Sequence, residues 1–394
     1  MDNHYIDPKA KDTLKVITSI ARKSLGMDAC VLELFNTRKK ANEISSAYPI
    51  KTKADQLRTS YIYDKSFKAF HYQGKLGNAH KNVDQGSTNN SALDFRSHIG
   101  IPISSANGHI HGILYCFNKS PLLVRENLDY KTLKSLADMA GLLLEQEESL
   151  WEEIDTNRVR IKKAIEDDTI NIVFQPIYDV KFDKIIGYEC LSRFNNTEEL
   201  STHDWFEQAR ECNLDIELEI ASFLKAIDYL PSIPLDQYLS INLSPNSICN
   251  TKTLSTIKNF DLSRVIIEIT EHEKIKDYAE FNRSLLTLRR KGARIAIDDT
   301  GAGYASLKHI LEIDTDKIKL DISLIRDIHK DQKRRALASA LVTFAHEIGA
   351  EVFAEGVETE EEMRTLLNMG VTKMQGYYIG RPQPFETITK KAFN

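Results

Sequence analysis

The densest chemistry in the chain lies between Arg294 and Leu307, RIAIDDTGAGYASL. The apolar run Ile295–Ile297 reads as a buried strand that ends in two adjacent carboxylates, Asp298 and Asp299. A loop bearing Gly301 and Gly303 follows, and a helical pattern resumes near Ser306. Two like charges about 4 Å apart repel by about 4 kcal/mol at an effective dielectric of about 20. Exposure, a shared proton or a cation must offset that. For an isolated pair, solvation would be the better account, but the pattern recurs. Other short apolar runs carry a polar group at or near their C-terminal end: Gln175, Glu189, Asn242, Glu268, Lys319, Glu355 and Gln375. A buried strand has no packing use for such residues. Brought to one place, they would be tolerable around divalent cations, and all-oxygen ligation suits Mg²⁺ or Mn²⁺ rather than zinc.

The elements that must position these groups are readable. The runs are Ile172–Ile177, Ile185–Leu191, Tyr238–Ser244, Val265–Thr270, Arg294–Asp299, Lys317–Asp321, Glu351–Gly356 and Thr372–Ile379. Helical patterns such as Ile216–Leu230, Tyr278–Lys291 and Arg335–Gly349 lie between them. Strands alternating with helices in this number predict a (β/α)₈ TIM-like barrel, whose strand C-termini open on one face. A doubly wound sheet is the runner-up.

These residues resemble the EAL domain, a family of cyclic di-GMP phosphodiesterases. The resemblance runs from about Ile170 to Glu386. It is carried by FQPI (Phe174–Ile177), ECLSR (Glu189–Arg193), INLS (Ile241–Ser244), EITE (Glu268–Glu271), DDTGAGYASL (Asp298–Leu307), KLD (Lys319–Asp321), AEGVET (Ala354–Thr359) and QGYYIGRP (Gln375–Pro382). It implies metal-dependent hydrolysis of cyclic di-GMP to linear pGpG, with two Mg²⁺ or Mn²⁺ ions per active site. Glu189, Asn242, Glu268 and Asp298 would hold the first ion, and Asp298 and Asp299 the second. Glu355 would bind or orient the attacking water, and Lys319 would hold that water or the scissile phosphate. Gln175 and Arg193 would contact substrate, Glu271 would brace the loop after Asp299, and Glu358 and Gln375 would support the site. Two positions depart from the family pattern: Cys190 where alanine is common, and Thr300 where phenylalanine is usual. The first is a small apolar exchange. The second removes an apolar anchor worth about 1.5–3 kcal/mol when buried, which predicts altered loop order rather than inactivity. A catalytically silent domain that binds cyclic di-GMP is the alternative. Glycerophosphodiester hydrolysis on a similar barrel is a third reading.

The first part of the chain has a different organisation. Helical periodicity covers Asp12–Leu25, a strand is predicted over Ala29–Phe35, and Asp84–Ser91 reads as loop. Two apolar runs within Ser97–Phe117 meet at Asn107-Gly108, a hairpin signal. Leu133, Leu136, Ala137, Ala140, Leu143 and Leu144 then share a helical face. Ile99–Ile103, Asn107–Leu114 and Asp129–Leu144 resemble the C-terminal half of a GAF domain, a small α/β sensory module. That resemblance implies an unknown small ligand, in a pocket drawn from Tyr48–Leu93. His98, His109 and His111 read as surface or hydrogen-bonding residues in preference to metal or haem ligands. Residues 1–150 are thus expected to form the GAF-like domain and 151–394 the EAL domain, joined by a connector helix over about 128–168. Leu136, Ala140, Leu143, Leu150, Ile154, Ile161 and Ala164 lie on an a/d repeat, with Glu147 and Asn157 as polar exceptions. One long helix, part packed on the first domain and part running to the second, would explain it, as would a parallel coiled-coil homodimer or an amphipathic helix lying on its own domain.

Composition narrows the classes. A net charge of −5 over 394 residues argues against nucleic-acid binding through bulk charge. No run approaches the roughly 18 apolar residues of a membrane span, and no signal-peptide core opens the chain. Five scattered cysteines without a CxxC pair suggest reduced thiols, so a cytoplasmic protein is expected. No GGDEF-type motif is present, which argues against synthesis of the same nucleotide.

Overall fold

The computed structural model describes residues 7–34, 42–47, 80–83, 97–118, 128–194, 200–270, 275–300 and 304–391. The chain divides into two compact units, Met1–Glu153 and Ile154–Asn394. No helix among the described residues is long and apolar enough to cross a membrane.

In the first unit, the helix Pro8–Ser24 starts on Asp7, whose carboxylate accepts from the Lys9 amide at 2.7 Å, with proline at the first turn. Strands β1 (Ala29–Leu34), β2 (Asn42–Ala47), β3 (His80–Val83), β4 (Ser97–Ser104) and β5 (Ile110–Asn118) form an antiparallel sheet in the order β2-β1-β5-β4-β3. The hairpin between β4 and β5 turns at Asn107-Gly108. Gly108 takes a φ of +85°, and the Asn107 side chain accepts from the His109 amide at 2.9 Å. Leu32, Ile101, Ile103 and Leu114 pack with Leu14 and Ile17 of the first helix and with Leu133, Ala137 and Ala140. The expected pocket segment Tyr48–Leu93 lies outside the described residues except for β3, as does the loop Asp84–Ser91.

One helix of 39 residues, Leu128–Glu166, carries the connector repeat. Its positions are largely occupied within each unit: Leu136 and Ala140 enter the first core, and Ile161 and Ala164 a cluster of the second with Trp205 and Leu218. Leu150 alone among these leucines stays half exposed, at 49%. Asn157 is buried and accepts from Arg160 at 2.8 Å, so this polar exception has a local partner.

The second unit is a closed barrel of eight strands: β6 (Ile170–Asp179), β7 (Lys184–Phe194), β8 (Tyr238–Leu243), β9 (Val265–Ile269), β10 (Arg294–Thr300), β11 (Lys317–Leu320), β12 (Glu351–Ala354) and β13 (Lys373–Met374), with β13 pairing back onto β6. A short β14 (Gln383–Pro384) adds to β6. The architecture departs from an all-parallel barrel in one place. β6 runs antiparallel to both β7 and β13. Only Val180–Asp183 separates β6 from β7, too little chain for a crossover helix, so a hairpin is forced. The run Thr372–Ile379 pairs over only two residues because the chain turns away at Gly376, where a Cβ would lie 2.2 Å from the Val357 backbone.

Alternation sorts each strand into two faces. Ile177, Tyr238, Ile266, Ala296 and Phe353 form an apolar layer inside the barrel. Leu239, Ile241, Ile267, Ile269, Ile295, Ile297 and Ile318 belong to the larger core outside it, with Phe223, Phe281 and Leu285 of the covering helices. Gly187 leaves room for the inner layer: a Cβ there would lie 2.6 Å from the Tyr238 carbonyl oxygen and 2.7 Å from its ring. Gly187→Val should therefore destabilise the second unit by about 1–3 kcal/mol. Denaturant unfolding measures this, and an unchanged midpoint would refute the close approach.

Candidate active site

The polar groups continue the inner face of the barrel. Gln175 is two residues from Ile177, Asn242 four from Tyr238, and Glu268, Asp298 and Glu355 each two beyond Ile266, Ala296 and Phe353. In β6 this places Gln175 mid-strand, opposite Glu189, rather than at a C-terminal end, because β6 is reversed. Two successive strand residues cannot normally face one side. Here the β10–β11 register shifts between Ile297 and Thr300, and Asp299 takes a φ of 52°. This bulge brings carboxylate oxygens of Asp298, Asp299 and Glu355 within 4.8 Å of one another. Aspartate tolerates that left-handed backbone better than most residues.

Lys319 stands at the centre. Its Nζ is 2.9 Å from Glu268 Oε2, 3.0 Å from Asp298 Oδ1 and 4.0 Å from Glu189 Oε1, and it also pairs with Glu355. Ser240 donates to Glu268 Oε1 at 2.5 Å. Asn242 Nδ2 donates to Glu189 Oε1 at 3.1 Å. Gln375 Nε2 donates to Gln175 at 2.9 Å and to Glu189 Oε2, while Gln175 Nε2 donates to the Gly380 carbonyl at 3.2 Å. Burial pushes the Glu268 carboxyl up to about 8, with Lys319 opposing and Glu189 and Asp298 adding to the rise. Glu355 is raised well above the usual carboxylate range, first by burial and then by Asp298. Burial works against a charged Lys319, but Asp298, Glu189, Glu268 and Glu355 outweigh it and hold its pKa well above the ordinary lysine value.

Five carboxylates thus face one ammonium at the mouth. Among the described residues, Asn242 Oδ1 is a buried oxygen without a partner, and Glu268 Oε2, Asp298 Oδ1 and Glu355 Oε1 are buried oxygens that meet only the shared Lys319 ammonium. An all-oxygen, strongly anionic donor set of this kind fits hard divalent cations. Beside it, a cavity of about 230 Å³ opens between β7, β8 and the helix Thr202–Glu211, lined by Leu191, Ser192, Phe206, Asn242, Leu243 and Thr270 among others.

Several sequence-derived positions fall elsewhere. Arg193 is exposed and donates to the Ser192 carbonyl at 2.7 Å. Glu358 pairs with Arg326 at 2.7 Å instead of joining the cluster. Glu271 lies outside the described residues. Thr300 is fully buried on β10 and pairs with Leu320. Cys190 is buried with Phe174 on the outer face of the barrel wall, where a small apolar side chain suffices. Ser240 escaped the sequence reading, although its two-residue spacing from Asn242 was the available signal.

Residues 158–382 match the family model described as the EAL domain. "Cyclic di-GMP phosphodiesterase PdeF" of Escherichia coli K12 is 29% identical over 58% of this chain and 31% of its own length. "Cyclic di-GMP phosphodiesterase PdeR" of the same organism is 27% identical over 60% of this chain and 37% of its own length. The chain therefore spans about a third of the length of these curated relatives. A solved EAL domain protein from Listeria monocytogenes EGD-e is 28% identical, with a TM-score of 0.52 over 59% of this chain and 96% of that one.

The raised acids set a pH dependence. Glu268 binds a proton in the folded state that it lacks unfolded, so its contribution is full below about 4.5 and is lost as pH rises to about 8. In chelator, stability should fall across that window, and Glu268→Gln should remove about 1–3 kcal/mol of the fall. Denaturant titrations at a series of pH values measure it; parallel profiles for the two proteins would contradict the assignment.

Proposed function

This chain belongs to the EAL-domain family, and from that premise we propose that its barrel hydrolyses cyclic di-GMP to linear pGpG. The observation that carries this is the meeting of Glu189, Glu268, Asp298 and Glu355 around Lys319. The names of the E. coli relatives add support. Glu189, Asn242, Glu268, Asp298 and Asp299 are the residues that would hold two Mg²⁺ or Mn²⁺ ions. Bound there, such ions would supply Lewis acidity, lower the pKa of a coordinated water and reverse the sign of a mouth that otherwise repels an anionic diester.

The protein's own groups do the rest. Glu355, as a carboxylate, takes a proton from the attacking water. The Lys319 ammonium holds a phosphate oxygen against the charge that develops in the transition state. Water oxygen bonds to phosphorus as the P–O3′ bond breaks, and the departing 3′ oxygen takes up a proton. Gln175 and Gln375 fix Glu189 and meet the substrate. Arg193 offers a planar fork to phosphate that a lysine would not. The antiparallel sheet and the Asn107-Gly108 hairpin support a GAF-like sensory role for the first unit; a small ligand as its signal and a homodimer as the working form belong to the same proposal.

Incubating the full chain with Mg²⁺ and cyclic di-GMP and resolving the nucleotides tests the reading. Glu189→Ala and Asp298→Ala should each lower turnover by about 10³-fold or more with the melting profile nearly unchanged. Substantial activity in purified Asp298→Ala would refute the metal assignment. Binding without turnover in the unaltered protein would favour a receptor, and turnover of glycerol diesters alone a different hydrolase.

A further inference from the structure

The first unit contains a second group of ligand-type side chains, unconnected with diester chemistry. His109 follows the hairpin turn and His111 lies two residues on, in β5. Their rings meet edge-on with centroids 5.0 Å apart. Glu148, on the helix Leu128–Glu166, approaches with Oε2 3.7 Å from His111 Nδ1. One ligand atom from each of the three residues lies within 4.8 Å of the others.

The 3.7 Å separation is too long for a hydrogen bond. It suits two atoms that share an ion, since ligands at about 2.0–2.2 Å from one metal are at most about 4.4 Å apart. The His111 side chain is only 10% exposed, and its Nε2 is buried with no hydrogen-bond partner among the described residues. An imidazole so enclosed, with neither nitrogen in a hydrogen bond among the described residues, lacks the contacts that buried polar groups ordinarily make. The support is firm. Gly141 passes so near Ser104 that a Cβ would lie 2.3 Å from its carbonyl oxygen, which fixes the helix against the end of β4. Glu145, one turn before Glu148, reaches the hairpin amide of Ala106 at 3.5 Å.

We propose that His109, His111 and Glu148 bind a divalent transition-metal ion of the zinc class. Two imidazoles and a carboxylate select such an ion over Mg²⁺, which favours oxygen alone, and leave a fourth position for water or another ligand. Bound there, the ion ties the hairpin to the long helix by coordinate bonds.

Co²⁺, a coloured stand-in for zinc, tests this by titration of the full chain with Mg²⁺ in excess. The expected result is the visible absorption of nitrogen-ligated, four-coordinate cobalt, bleached by Zn²⁺. His109→Ala and Glu148→Gln, both at exposed positions, should each weaken cobalt binding by about tenfold or more without moving the melting temperature. The signal should persist in Asp298→Ala, so the result does not depend on the barrel's activity. Absence of the signal in the unaltered protein, its survival in the His109→Ala/Glu148→Gln double variant, or its loss in Asp298→Ala would each overturn the proposal.

Discussion

The barrel is organised by a charge imbalance that its own residues only partly relieve. Lys319 lies against Glu268, Asp298 and Glu355, with Glu189 at 4.0 Å, and its burial is nearly complete. An ion pair in such surroundings stabilises little by itself, because each group has lost its water. Its value is positional. One ammonium fixes side chains from β7, β9, β10 and from the residue after β12 at a common point. Closure of the sheet completes the frame, since the β13–β6 pairing brings Gln375 and Gln175 against Glu189. The remaining negative charge is a standing demand for cations.

Much of this was legible in the sequence because strand alternation is a strict rule. Once Glu268, Asp298 and Glu355 are each assigned to the end of an apolar run, their convergence follows from barrel closure. Two features were less accessible. The reversal of β6 depends on the shortness of Val180–Asp183, a turn that a search for alternating strands and helices passes over. The shared facing of Asp298 and Asp299 depends on a backbone bulge, and the sequence hints at it only through an aspartate pair before glycines.

Two of the expected site residues lie at or beyond strand ends. Arg193 is near the end of β7, and Glu358 lies in the segment after β12. There, side-chain direction follows local partners, such as Arg326 for Glu358, instead of the pleat. The connector repeat carried an ambiguity of another kind. Its apolar positions enter two cores within one chain, at Leu136 and Ala140 and again at Ile161 and Ala164. A heptad pattern arises when one helix serves two hydrophobic interiors in succession, and a second copy of the chain is not needed to produce it.

The left-handed backbone at Asp299 bears on how such a site drifts over generations. The conformation admits glycine, asparagine and aspartate at low cost and penalises bulkier side chains. Of these three, only aspartate is anionic. Replacements that keep the loop's shape are therefore the same ones that discard its charge. A lineage under weak selection can therefore lose the charge at this position while its barrel stays intact, leaving a mouth of the same shape with one acid fewer.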